Sequence, residues 1–367
     1  MEHGFHFCDE LGPAKIARLY VPSVGLKAIV VVDNVACGPA IGGVRMARDV
    51  TVEEVSRLAR AMSYKNAAAG LSHGGGKAGI VGDPACEPQR KEQIVRAFAR
   101  MIRGLTEYIP GPDMGTNEAC MAWVKDEIGR AVGLPRVLGG IPLDEIGATG
   151  FGLAIAAEVA AAQAKLSLDG ARLAVEGFGA VGQHAARFLI RRGARVVAAS
   201  DSRGAILDPR GLDVEDLIAH KRGGAPVSTF PQGRVIDREA LVGVECEIWI
   251  PAARPDTLTA ENVSRLKARL VLQGANIPAT EAAEEWMHAH GVLSVPDFVA
   301  NAGGVICAAV EYHGGTERQA METIEERIRG NTQETLERAR AGHLLPRQAA
   351  IEMARQRIEE AMRYHRV

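Results

Sequence analysis

The stretch ARLAVEGFGAVG, residues 171–182, passes from an apolar strand pattern directly into three glycines and then into a helical pattern. Gly177, Gly179 and Gly182 stand in the order G-x-G-x-x-G, and Asp201 closes the next apolar run, ARVVAASD. That order dictates a strand, a tight turn and a helix. The first glycine permits the turn, the second lets backbone N–H groups approach a pyrophosphate, and the third lets helix and strand pack closely. Phe178, Ala180 and Val181 fill in the turn and the first helical residues. Around this core, from about residue 147, comes an alanine-rich helix and then strands such as CEIWIPAA, ARLVLQGAN and GVLSVPD alternating with helices. Such alternation predicts an α/β, doubly wound domain with a parallel sheet wrapped by helices.

Ligands of doubly wound sheets bind beyond the carboxyl ends of the strands. Ala252 in PAAR, Asn276 in GAN and Asn301 in DFVANAGG follow later strands, so they are expected to face a dinucleotide. Asn276 and Asn301 suit turns equally well, because asparagine bonds its own backbone. Asp201 can accept hydrogen bonds from the adenosine ribose and so favour NAD, whereas Arg203 can hold a 2′-phosphate and so admit NADP. Both choices stay open at this level.

The N-terminal half has another texture. KAIVVVDNV reads as a strand, and TVEEVSRLARAMSYKNAAAG as a helix opened by a Thr51/Glu54 capping box and closed by Gly70. A further helix is expected over QRKEQIVRAFARMIRGLTEYI until PGPDMGT breaks it, and another from Asn117. A chain of 367 residues, 47% of them hydrophobic, favours two domains over one. We place them at 1–144 and 145–330, with helices of 331–367 packing back on the first. The formal net charge of -2, with acids and bases interspersed, excludes the single-sign field that nucleic acid or an anionic membrane needs. No apolar run approaches a membrane span, and MEHGFHFCDE lacks the layout of a signal peptide, so a cytoplasmic protein is expected. The six cysteines lack metal-site spacing, and no metal is expected.

Two lysines and an aspartate carry the chemistry. The stripe Val55, Leu58, Met62 extends at helical spacing to Lys65, which is therefore expected to point inward. A desolvated ammonium costs several kcal/mol unless it is paired or meets an anion. Lys77 follows HGGG, read as a loop whose missing side chains allow close backbone approach. A nearby cation and an apolar wall would lower its pKa toward the range useful for proton transfer. Asp113, in PGPDMGT, is read in a stiff loop between two helices. Alone it suits a turn or cap; beside Lys77 it would be a second proton-transfer group.

In order along the chain, GPAIGGVRM, MSYKNAAAGLSHGGGK, GPDMGT, GFGAVG, GANIPAT and PDFVANAGGV resemble the motif set of the glutamate/leucine/phenylalanine/valine dehydrogenases, closest to the leucine branch. The resemblance implies an N-terminal α/β substrate domain, a C-terminal Rossmann-type domain and a cleft in which an L-amino acid is oxidatively deaminated with NAD or NADP. It implies a substrate carboxylate held by Lys65 and lined by Gly42, Gly43 and Met62, with Asn276 contacting substrate or nicotinamide. Lys77 matches the catalytic lysine, Asp113 the proton-shuttling aspartate, and Thr149 the threonine that holds the nicotinamide amide. It also implies a homo-oligomer, hexamer or octamer.

Glutamate-specific members carry a lysine where this chain has Ile41 and a serine where it has Ala308. An ionised side chain there would lose its water without gaining a partner. The expected pocket is Ile41, Gly111, Val305 and Ala308, for leucine, valine or isoleucine. GANIPAT is more like the glutamate branch, and the small Gly111 and Ala308 leave room for phenylalanine. A different class of protein, an amino-acid-binding regulatory subunit without activity, would not need the Lys77 and Asp113 pair.

Overall fold

The computed structural model describes residues 6–365; the first five residues of the opening stretch, read above for a targeting signal, lie outside them. The chain divides into two units, one of Met1–Leu143, Val305–Thr323 and Ile351–Val367, the other of Asp144–Gly304 and Ile324–Ala350. The expected blocks met at 144 and at 330. The observed division starts at 143/144 but then interleaves, giving 305–323 to the first unit and 331–350 to the second.

In chain order the first unit holds β1 (Lys15–Val21), β2 (Leu26–Asn34), β3 (Ala40–Ala47), α1 (Val52–Ala68), β4 (Gly74–Val81), α2 (Pro88–Met101), β5 (Tyr108–Pro112) and α3 (Glu118–Ile128). The strands form one sheet in the order β1-β2-β4-β3-β5. β3, β4 and β5 run parallel, and β2 is antiparallel to both β1 and β4. On one face Val30, Val32, Val44, Ala78 and Ile80 pack with Phe98 of α2 and Met121 of α3; on the other, Ile29 and Val31 pack with Val55 and Ala59 of α1.

Three expectations change here. The second predicted helix stops at Met101, and its final residues become β5, because pairing Ile41 with Ile109 buries both Tyr108 and Ile109. The glycine run before Lys77 is no loop but the start of β4, a central strand between β2 and β3. Asp113 therefore follows a strand rather than joining two helices. α1 begins as read, with Thr51 Oγ1 accepting the Glu54 N–H at 3.1 Å, but the Glu54 carboxylate goes to Arg45 of β3, so only half the capping box forms.

The second unit is built on α4 (Ala148–Gln163), β6 (Arg172–Glu176), α5 (Ala180–Ile190), β7 (Arg195–Asp201), β8 (Gly204–Leu207), α6 (Val214–Arg222), β9 (Arg234–Ile236), β10 (Ile248–Pro251), β11 (Leu270–Leu272), α7 (Glu281–Ala289), β12 (Leu293–Val295) and α8 (Asp297–Ala300). Three further helices, α9 (Gly303–Tyr312), α10 (Glu317–Gly342) and α11 (Pro346–Met362), are each divided between the units. The sheet order is β12-β11-β10-β6-β7-β8-β9. Five strands are parallel, as expected, but β8 and β9 add an antiparallel edge. The pairing of Asp201 with Gly204 closes a two-residue turn after β7, and so short a connection can only return antiparallel. The chain leaves β6 on one side for β7 and resumes on the other at β10. The strand order thus reverses at the carboxyl end of β6, where GFGAVG lies.

All six cysteines are free thiols, and burial pushes those of Cys246 and Cys307 up to about 12. Among the described residues no helix is long and apolar enough to cross a membrane, and no group of three or more His, Cys, Asp or Glu is placed to hold a metal ion.

Candidate active site

Alternation along β4 puts Gly75, Lys77 and Gly79 on one face of the sheet. α1 rests directly on that face. A Cβ at Gly75 would lie 2.0 Å from the Ser63 backbone nitrogen, and one at Gly79 would lie 3.0 Å from Val55 Cγ2. Lys77 emerges between these two contacts with its side chain only 8% exposed. Its Nζ donates to Asp113 Oδ2 at 2.6 Å. Arg45, on β3 in register with Gly79, donates through Nε to the same oxygen at 3.2 Å and through Nη1 to Glu54 Oε1 at 2.5 Å. Thr116 fixes the turn that carries Asp113: its Oγ1 accepts the Asp113 N–H at 3.0 Å and donates to the Val44 carbonyl at 2.8 Å. A Cβ at Gly43 would fall 2.8 Å from the Cβ of Asp113, so only glycine leaves the carboxylate this place beside β3.

Burial is the largest influence on Lys77 and holds its ammonium below the usual lysine range against the attraction of Asp113; the Arg45 charge adds to the lowering. Burial alone would raise Asp113, but Lys77, with Arg45 contributing, outweighs it and keeps the carboxyl below its usual value. The result is an ionised carboxylate touching an amine that loses its proton more readily than a free lysine does. Such a pair can pass protons.

Lys65 lies in the last turn of α1 in line with Leu58 and Met62, but that line is not the inward face expected for it. The fully buried face of the helix is Val55, Ser56, Ala59, Ser63, Asn66 and Ala67, while Leu58, Met62 and Lys65 are half-buried along its flank. Small residues win the inner face because the helix sits against strand backbone, where Leu58 and Met62 would not fit. Gly42 and Gly43 are in register with Pro110 and Gly111 of β5, but the β3–β4 ladder skips them, pairing Ala40 and Ile41 and resuming at Val44. The Gly42 carbonyl instead accepts the Tyr108 hydroxyl at 2.8 Å.

Ile41 shares the sheet face of Lys77 and enters an apolar cluster with Ile109, Val132 and Ala309, against which Leu71, Ala308 and Tyr312 pack. A Cβ at Gly111 would come within 3.0 Å of Val132, so this glycine borders the same cluster. Ile41, Gly111 and Ala308 are thereby brought together, and Val305 lies half-buried one turn before Ala308 on α9. The cluster's further members come from β5 and from the stretch after α3, which no local pattern ties to Ile41.

In the second unit the glycine turn fits a dinucleotide. Gly177 has φ +92, and a Cβ there would strike Ala253 at 2.7 Å; one at Gly182 would strike the Gly177 carbonyl at 2.2 Å. Around Gly179 a Cβ would meet nothing within 4 Å, so the turn is open on the side where a pyrophosphate has to approach. The N–H groups of Gly177 and Phe178 already donate to the Ser200 carbonyl, and the Phe178 ring is buried. Phosphate-facing donors are left to Gly179, Ala180 and Val181 at the start of α5, which has no side-chain cap. Ala252 lines the same recess. Asn301 is buried and its Nδ2 donates to the Gly274 carbonyl at 3.2 Å and to Asn276 Oδ1 at 3.3 Å, so it holds the GAN turn, while Asn276 itself is exposed. Thr149 is half-buried in the first turn of α4, where a Cβ at Gly303 would fall 3.1 Å from its nitrogen.

The family model described as Glutamate/Leucine/Phenylalanine/Valine dehydrogenase matches residues 139–366, and the one described as Glu/Leu/Phe/Val dehydrogenase, dimerisation domain, matches residues 16–130. The chain belongs to the glutamate/leucine/phenylalanine/valine dehydrogenase family. As such it is an amino acid dehydrogenase, acting on the CH–NH2 group with NAD or NADP. This dehydrogenase is 39% identical to glutamate dehydrogenase of Aeropyrum pernix over 82% of its own chain and 76% of the relative's. It is 41% identical to glutamate dehydrogenase of Thermotoga maritima over 76% and 70%. Among solved structures it resembles the hetero-hexameric glutamate dehydrogenase of Thermus thermophilus in its leucine-bound form, with TM-score 0.85 and 32% identity over 97% of this chain and 90% of that one. Arg45 and Glu54 of the dehydrogenase went unread in the sequence. The signal for Arg45 was its place two residues beyond Gly43 on the same strand face, and Glu54 was hidden by its fit to a capping box.

Proposed function

We propose that the enzyme oxidatively deaminates an apolar L-amino acid of the leucine, valine or isoleucine type to the 2-oxo acid and ammonia, reversibly, with Lys77 and Asp113 as its catalytic residues. The observation that carries the choice of substrate is Ile41, enclosed by Ile109, Val132 and Ala309 with Ala308 against them. A carboxylate side chain entering such surroundings loses several kcal/mol of hydration with no cation to offset it, and about 3 kcal/mol is already more than a hundredfold in selectivity.

Lys65, with the backbone of Gly42 and Gly43 and the side chain of Met62, would hold the substrate carboxylate; Val305, Ala308 and Gly111 would bound its side chain. When bound, the dinucleotide supplies a hydride acceptor for the substrate's alpha carbon, and Thr149, Asn276 and Asn301 belong to the part of the site that receives its nicotinamide end. Neutral Lys77 takes a proton from the water that adds to the imine carbon, and Asp113 passes a proton to the departing ammonia. Assembly into a homo-oligomer, a hexamer or octamer, is part of this reading, supported by the match to a dimerisation-domain model.

Glutamate as substrate is the second reading, favoured by the names of the relatives at 39% and 41% identity. Reduced-cofactor absorbance with leucine, valine, isoleucine, phenylalanine and glutamate, each with NAD and NADP, separates the two. A branched-chain substrate with kcat/KM at least about tenfold above glutamate supports the proposal. Glutamate as the best substrate overturns it, and turnover of none would leave an amino-acid-binding subunit.

A further inference from the structure

We propose that the recess beside the glycine turn receives a ribose 2′-phosphate on Lys221 and Arg222, so that NADP is the favoured dinucleotide. The inference rests on the reading of GFGAVG as a dinucleotide site and makes a choice which that reading leaves open. The recess, about 410 Å³, is lined by Gly177, Gly179, Asp201, Ser202, Lys221 and Arg222 among others.

Asp201 is the residue that would have to bind the two ribose hydroxyls of NAD, and its carboxylate is already engaged. Oδ1 accepts the Arg203 N–H at 2.8 Å, and Oδ2 accepts both the Val227 N–H at 3.0 Å and the Lys221 ammonium. Of the roughly four acceptor positions on a carboxylate, three are taken, too few left for a diol. Lys221 spends one of its three N–H donors on Asp201 and keeps two. Arg222, the last residue of α6, is exposed and lines the recess. The lining thus carries one more cation than anion, and a phosphate ester of about −1.5 to −2 charge is the ligand that matches it. Arg203, which the sequence offers as another holder of that phosphate, donates to the Gly224 carbonyl at 2.7 Å and is not part of the recess lining.

Calorimetric titration of the full chain with adenosine 2′,5′-bisphosphate and with 5′-AMP tests this without turnover. We expect the bisphosphate to bind at least about tenfold more tightly, and Arg222→Ala and Lys221→Ala each to weaken it roughly fivefold or more while 5′-AMP stays within about twofold. Bisphosphate affinity no better than that of 5′-AMP in the unaltered enzyme overturns the proposal whatever the variants do. So does unchanged bisphosphate binding in Arg222→Ala, whose exposed side chain the fold does not need. Oxidation of leucine with NAD alongside such a failure would spare the substrate reading; tight bisphosphate binding without turnover of any amino acid would do the reverse.

Discussion

Lys77 and Arg45 both reach Oδ2 of Asp113, at 2.6 and 3.2 Å, and Glu54 balances Arg45 from α1. One carboxylate oxygen thus sets two cations against each other, and the arginine's effect on the lysine has a sign. On the proposed role of Lys77 as the neutral amine, the rate should rise with pH through a limb that lies below the free lysine value of about 10.4. Arg45→Gln removes a charge that favours the neutral amine and leaves Glu54 to favour the ammonium, so that limb should move to higher pH; Arg45→Lys should return it part of the way. A pH profile of kcat/KM decides, and an unmoved limb would reduce Arg45 to a structural role. Lys77→Ala should lower kcat about 10²-fold or more while nucleotide binding persists in titration. Ile41→Lys with Ala308→Ser should shift kcat/KM toward glutamate by supplying the missing cation, and an unchanged profile would mean that the side-chain pocket lies elsewhere. Lys77 and Asp113 were legible through the resemblance that SHGGGK and GPDMGT bear to the family's motifs, since the aspartate alone suits a turn or cap equally well. Arg45 and Glu54 were not, because their pairing is fixed by where β3 lies against α1, which no spacing along the chain expresses.

Elements were legible where the pattern is local. β2, α1, α4 and the parallel strands of the second sheet all announced themselves through runs or periodicity. β5, β8 and β9, of 5, 4 and 3 residues, exist because a partner strand is present, and Tyr108 and Ile109 continue a helical pattern well enough to be mistaken for its last turn. The inward face of α1 was misjudged for a related reason. Apolar bulk marked Leu58 and Met62, but the closest packing went to Ala59 and Ser63, because the sheet beneath offers glycine backbone. Gly75→Ala tests that contact. Its methyl would lie 2.0 Å from a backbone nitrogen of α1, which has no flexible end to give way. We expect a loss of about 1–3 kcal/mol in denaturant unfolding; an unshifted midpoint would mean that α1 does not rest on β4 there.

At the scale of the molecule, the sequence located the change of texture near residue 144 and assigned the whole tail, 331–367, to the first domain; the observed division gives that unit only Ile351–Val367 of the tail, and nothing in the pattern marked 305–323 as part of it. Periodicity says that α10 and α11 are helices, not which unit each segment serves. The last segment of the first unit is tied in by specific bonds: Arg357 Nη1 donates to the carbonyls of Ala67 and Ala68 at 3.1 and 2.8 Å, capping the end of the helix that carries Lys65. Arg357→Ala leaves those carbonyls without the guanidinium and should cost about 1 kcal/mol or more, read as a lower unfolding midpoint; no change would show that solvent serves as well. The order of manufacture follows from the same arrangement. A ribosome delivers Met1–Leu143 first, yet Ile351–Val367 only after the whole of Asp144–Gly304, a delay on the order of ten seconds or more at ordinary elongation rates. Throughout that interval the Ala67 and Ala68 carbonyls at the end of α1 face water without the guanidinium that later caps them.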